Sequence, residues 1–233
     1  MRVGTKSVMF GVHSIFVHPF FVAWAWARLY GFPWDPRLWL AFLVHDVGYV
    51  GKPNMEGSEG QQHVVLGGRI MGWLFGPEWR DFVLCHSRHW AESVGKSYSK
   101  LCLADKLAFV LTPAWLYLPM ARLSGELREY MRVSSERQLG GRVSNFELSL
   151  LKSPNPQVWL EGLKLYTRRW IEQHRNGFRD RWTAVRSQGF QGQVLDSRAC
   201  HGNPGHGRRF AKIDIDSSFE HEKTPLLARS GVC

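Results

Sequence analysis

Apolar positions along this chain recur at helical spacing, and no stretch alternates apolar and polar residues as a half-buried strand would. Residues 1–17 read as a mixed lead-in segment. Pro19, whose missing N–H has no partner in a first helical turn, puts His18 at the mouth of a helix running to about Tyr30. His18, Val22, Ala25 and Leu29 share one face of it, and Gly31 and Pro33 end it. Asp35 and Pro36 open a second helix, apolar nearly all round from Leu38 to Val47, which Gly48 stops with His45 and Asp46 in the last turn.

A glycine-rich loop over 51–60 leads to a third helix opened by His63, with Gly67, Ile70 and Leu74 along its face. Pro77 and Glu78 begin a fourth, through Phe82 and Val83 to His86, and Ser97 to Ser99 cap a fifth over 100–111. A helical pair bent at Pro119 is expected over 113–131, then polar, irregular chain over 132–156. Gln157 to about Arg175 forms a last amphipathic helix, with Trp159, Leu163, Tyr166 and Trp170 opposite Lys164, Arg168, Arg169 and Arg175. After Arg186 the periodicity disappears and glycines accumulate, which reads as a flexible tail. The expected fold is all-α: a helical domain over 1–131, a helical extension over 132–185 packing on it, and a basic tail over 186–233.

Charge changes this picture in one respect. The net charge is +10. Residues 1–131 carry 13 Lys+Arg against 10 Asp+Glu, and residues 132–233 carry 17 against 10, so the basic excess lies mainly beyond the first domain. That asymmetry suits weak contact between the C-terminal region and nucleic acid or another anionic surface. Cys85, Cys102, Cys200 and Cys233 show no framework spacing and read as thiols of a reducing compartment, so a cytoplasmic location is expected. Arg2 and Lys6 precede an uncharged stretch, Ser7 to Ala27, that superficially resembles a signal peptide or a membrane span. His13, Ser14, His18 and Pro19 interrupt it, and neither reading is adopted.

The chemistry lies in polar residues on apolar helix faces. His18, the His45–Asp46 pair, His63, His86 and Asp105 come one set from each of five consecutive helices. A buried carboxylate must be paired or must coordinate a metal. Converging imidazole nitrogens and carboxylate oxygens would suit Mn, Fe or Zn, and Mg less well. His13, His89 and His174 are expected to be packing or surface histidines, His89 being an alternative to His86 one turn away. Cys200, His201 and His206 are expected to be incidental to a Gly-rich tether.

These residues resemble the HD-domain superfamily, whose members are all-helical and bind metal through an H…HD…D pattern. His18-Pro-Phe-Phe-Val22-Ala23 is similar to the family's first histidine segment, His45-Asp46-Val47-Gly48 to its HD pair with a glycine turn, and Leu103-Ala104-Asp105-Lys106 to its closing aspartate. The likeness spans roughly residues 13–131. His63-Val-Val-Leu-Gly67 and His86 resemble the added ligands of two-metal members. The resemblance implies that His18, His45, Asp46 and Asp105 hold one metal, with Asp46 bridging to a second held by His63 and His86. Tyr49 stands where members that cleave cyclic dinucleotides carry a lysine, and their later GYP signature is absent, which argues against that substrate.

The function so implied is a phosphohydrolase that uses one or two divalent ions (Mn, Fe, Mg, Co or Zn) to activate water against a nucleotide or a small phosphorylated metabolite. The expected catalytic set is His45, Asp46, Lys106 and Arg88, with Lys52, Arg69 and Arg88 as phosphate contacts and Lys96 near enough in sequence to join them. A homodimer is compatible with these features. Two rival readings remain open: a mixed-valent di-iron oxygenase of the same superfamily, and a non-catalytic module that binds a nucleotide or nucleic acid.

Overall fold

The computed structural model describes residues 1–136 and 145–175. Expectations for 137–144 and from 176 onward, including the tail with Cys200, His201 and His206, lie outside the described residues. Eleven α-helices and no strand form the described residues, so the fold is all-α. The helices are α1 (Val3–Phe10), α2 (His18–Tyr30), α3 (Pro36–Val44), α4 (Val64–Phe75), α5 (Pro77–Leu84), α6 (Arg88–Ser93), α7 (Lys100–Leu111), α8 (Ala114–Ser124), α9 (Glu126–Glu136), α10 (Asn145–Leu151) and α11 (Pro156–Arg175). Short 3-10 turns occupy Val47–Tyr49 and Gly60–Gln62.

Local chemistry sets most of the helix starts. The Asp35 side chain accepts the Arg37 N–H at 2.9 Å, and Ser87 and Ser99 accept from Trp90 and Cys102. Prolines occupy the first turns of α2, α3 and α5. A single apolar core then joins five helices: Val22, Ala25 and Trp26 of α2 meet Phe42 of α3, Met71 of α4, Phe82 and Val83 of α5, and Leu101, Ala104 and Ala108 of α7. Each large side chain so buried contributes roughly 1.5–3 kcal/mol relative to exposure, which fixes these helices against one another.

A second cluster closes the bundle, with Tyr117, Leu118 and Ala121 of α8, Leu127 of α9, and Trp159 and Leu160 of α11. The fully buried Trp159 donates its indole N–H to Ser134 Oγ at 2.7 Å. Among the described residues no single helix is long and apolar enough to cross a membrane.

Four expectations require correction. Residues 3–10 form a helix, which packs on α8, rather than a mixed segment. The 113–131 pair does not bend at Pro119, which α8 carries in its interior. The chain turns instead at Gly125, whose φ of 90° is reached without the steric penalty a side chain would bring. The span 132–156 is not irregular throughout: α9 continues across 131 to Glu136, and Asn145–Leu151 is helical, tied to α11 by the 2.7 Å Arg169–Glu147 ion pair. Finally, α3 and α5 stop at Val44 and Leu84, short of the predicted ligands.

Candidate metal centre

That early stop matters to the site. Neighbours on a helix diverge by about 100°, so two adjacent side chains inside α3 could not aim at one point. His45 keeps helical dihedrals, while Asp46 swings to φ −103°, ψ −1°, and the pair converges. His86 likewise sits in the turn between α5 and α6, His18 at the start of α2, His63 directly before α4, and Asp105 midway along α7. All six side chains are buried.

Two glycines bring the α4 end against the α3 end. A Cβ on Gly48 would lie 1.8 Å from the His63 carbonyl oxygen, and one on Gly67 would lie 2.4 Å from that of Val44. Neither position tolerates a side chain without backbone movement.

The six residues form two sets that share Asp46. Asp46 Oδ2 lies 3.0 Å from His45 Nε2 and 3.5 Å from His18 Nε2, and Asp105 Oδ1 lies 3.1 Å from His18 Nε2 and 4.0 Å from His45 Nε2. On the other side, Asp46 Oδ1 lies 3.5 Å from His63 Nε2 and 3.4 Å from His86 Nε2. His63 Nε2 and His86 Nε2 are themselves 3.2 Å apart. Donor atoms each about 2.0–2.2 Å from a shared ion would stand at such separations.

Proton placement sharpens this point. His45 Nδ1 lies 2.9 Å from the Phe42 carbonyl, His63 Nδ1 2.8 Å from that of Gly60, and His86 Nδ1 2.6 Å from that of Val83. A carbonyl accepts, so each Nδ1 donates, which leaves Nε2 as the ring nitrogen free to offer a lone pair inward to an ion. His45 Nε2 and Asp46 Oδ2 are buried without a hydrogen-bond partner, because their 3.0 Å approach lacks hydrogen-bond alignment. Orphaned acceptors facing one another fit a cation, which satisfies all of them at once.

Electrostatics agree. Burial, which disfavours charge, pushes His63 down to about 3 and lowers His18 as well, leaving both neutral as ligands must be. Asp46 and Asp105 stay well below the usual carboxylate range although burial opposes it: His45 and His13 outweigh burial at Asp46, and Lys106 and His18 do so at Asp105. His45 is raised, since Asp46 overcomes its desolvation. The described residues therefore provide two buried His/Asp groups able to hold metal: His18, His45, Asp46 and Asp105, and Asp46, His63 and His86, the residues that the resemblance groups together.

No family model, curated protein or solved structure matches the chain. The ligand sets are thus defined by their own geometry.

Beside the first set lies a cavity of about 180 Å3, with His18 and Asp105 in its wall together with Lys106 and Arg88. Lys106 Nζ donates to Asp105 Oδ2 at 2.8 Å, and the Arg88 guanidinium lies over the Trp170 ring. Lys52 and Arg69, also expected at the phosphate, do not line this cavity. Because α4 turns Val64, Gly67, Gly68 and Met71 inward, Arg69 is exposed, while Lys52 packs beside Gly4 of α1. Lys96 pairs with Asp81, His89 is exposed and does not replace His86, and His174 stacks on Trp170.

His13 is the site residue that sequence reasoning missed. Its ring lines the cavity between Tyr49 and His18, with centroids 5.0 and 5.7 Å away. Nδ1 donates at 2.9 Å to Glu126, a fully buried carboxylate that also accepts from Ser7, Ser124, Tyr130 and the Val12 N–H. Burial lowers the pKa of His13, but Asp46 and Glu126 outweigh it and raise the value to about 9. The one clue in the sequence was a histidine interrupting an apolar run five residues before His18; its partner lies 113 residues away.

Proposed function

We propose that this protein is a metal-dependent phosphohydrolase of the HD type, acting on a phosphate ester of a small metabolite or nucleotide. The observation that carries the reading is the 3.2 Å approach of His63 Nε2 to His86 Nε2 with both Nδ1 protons committed to backbone, beside an Asp46 that reaches the other ligand set with its second oxygen. His18, His45, Asp46 and Asp105 would hold one ion, and Asp46, His63 and His86 a second. When bound, such ions supply Lewis acidity and an activated water for attack at phosphorus.

The chain's own groups supply the rest. Lys106 has donors beyond the one given to Asp105, and Arg88 adds a second cation from the same wall. Burial of the ligands excludes bulk water, so each charge acts at reduced screening. His45 and Asp46 serve as ligands in this arrangement.

The test uses the full chain, stripped with chelator and reloaded separately with Mn, Co, Fe, Mg or Zn. Phosphate release from a panel of esters is measured alongside elemental analysis. His45→Ala and Asp46→Ala are expected to lose both metal and activity. Unchanged metal content in both variants would overturn the reading, and O₂ consumption by the iron form with no phosphate release would replace hydrolysis by oxygenase chemistry.

A further inference from the structure

The cavity beside the first ligand set is chemically divided, and the division describes a ligand. One wall holds His18, Asp105, Lys106 and Arg88. Val12, Phe109, Tyr117, Trp159 and Leu163, which belong to one continuous apolar cluster, line much of the remainder, with His13, Glu56 and several hydroxyl side chains between them.

The hydroxyls on that apolar side have already spent their protons. Thr112 Oγ1 donates to Ala108 O, Thr167 Oγ1 to Leu163 O, Ser134 Oγ to Met131 O, and Tyr130 to Glu126. The Trp159 indole N–H is bound to Ser134. Among the described residues, Tyr117 is the lining hydroxyl left without an internal acceptor. A polyhydroxylated body such as a sugar would enter this region short of donors, and each acceptor buried without one costs affinity.

Size narrows the class further. Lys106 is paired with Asp105, and His13, Glu56 and Arg88 also line the cavity. A volume of about 180 Å3 compares with the roughly 150 Å3 of an apolar cavity that holds one benzene. It admits one ring or a short branched chain.

We propose that the substrate is a phosphomonoester of a compact, largely apolar alcohol, its phosphate at the His18–Asp105 end and its body against Phe109, Trp159 and Leu163. The assignment rests on the hydrolytic reading above. Water adds to phosphorus, the ester P–O bond breaks, and the alcohol departs carrying a proton from that water, leaving inorganic phosphate.

Two measurements on the metal-loaded full chain test this. Benzyl phosphate and glycerol 3-phosphate are both esters of primary alcohols, so leaving-group reactivity separates them little. Benzyl phosphate is expected to show a kcat/KM at least tenfold higher, and higher than nucleoside mono- and triphosphates. Binding is measured independently of turnover with benzylphosphonate against methylphosphonate, where burial of the ring predicts roughly tenfold or greater selectivity. Leu163→Gln, on a half-buried wall position, is expected to abolish that selectivity while metal content is retained. Equal affinities, or preference for glycerol 3-phosphate or a nucleotide, overturn the proposal on the unmodified protein alone. Selective binding of benzylphosphonate with no ester hydrolysed supports the pocket assignment and removes the hydrolytic reading instead.

Discussion

The carbonyl oxygen of His63 occupies the space where a side chain on residue 48 would begin, 1.8 Å from the position of a Gly48 Cβ. Backbone contact, and not side-chain packing, therefore sets the distance between the Asp46 turn and the His63 turn. Gly48→Ala is expected to push them apart at a cost of about 1–3 kcal/mol, as overpacking elsewhere does. Elemental analysis should show the second ion lost first, and calorimetry a lower melting temperature. Full retention of two ions would show that the turn relaxes without moving His63.

Asp46 and Asp105 are not equivalent. Asp46 directs one oxygen to each ligand set, whereas Asp105 meets the first set alone. Asp46→Asn is accordingly expected to abolish binding of both ions and Asp105→Asn to leave one, held by Asp46, His63 and His86. Titration of the two variants with Mn, read as bound equivalents, checks this; identical losses would mean that the sets bind as one unit.

Converging lone pairs make the metal-free protein the less stable form. Loading at about 100 times the dissociation constant contributes about 2.7 kcal/mol. For a chain of this size that corresponds to a rise of roughly 5–10 °C in melting temperature. Chelator should reverse the rise, and His45→Ala should show none. A melting temperature indifferent to metal in the unmodified protein would contradict the ligand geometry.

Two histidines give the metal-free protein opposite pH limbs. His13, raised to about 9 where an ordinary histidine lies near 6.5, binds its proton more tightly when folded. Its stabilisation is complete below about 6.5 and fades as pH rises towards 9. His63, pushed down to about 3 by burial, excludes the proton when folded, so its contribution is present above about 6.5 and is lost as pH falls towards 3. His13→Gln should flatten the alkaline limb in denaturation series at pH 6, 7.5 and 9. Metal loading should shrink the same limb, because Asp46, which holds His13 up, then serves the ion.

Much of the fold was legible because helix starts are local. Pro19, Asp35 with Pro36, Pro77 and Ser99 each act within one turn, and the helices they open lie where the pattern placed them. Helices held by distant partners were not legible: α1 packs on α8, and α10 is tied by Glu147 to Arg169. His13 was misjudged for the same reason, since Glu126 gives it its role. Lys52 and Arg69 were nominated by nearness in sequence, and nearness says nothing about which way a helix face turns.

The residue order alone determined which donors exist and that they would stand among apolar helices, because burying a carboxylate or imidazole among Val, Leu and Phe demands a partner whatever the fold. Tertiary structure decided which atoms meet. It committed Nδ1 of His45, His63 and His86 to backbone carbonyls, divided Asp46 between two sets, and placed a cavity with a polar and an apolar side beside one of them. Those outcomes depend on separations of a few tenths of an ångström between helices far apart in the chain, and such separations are fixed by packing, not by local preference.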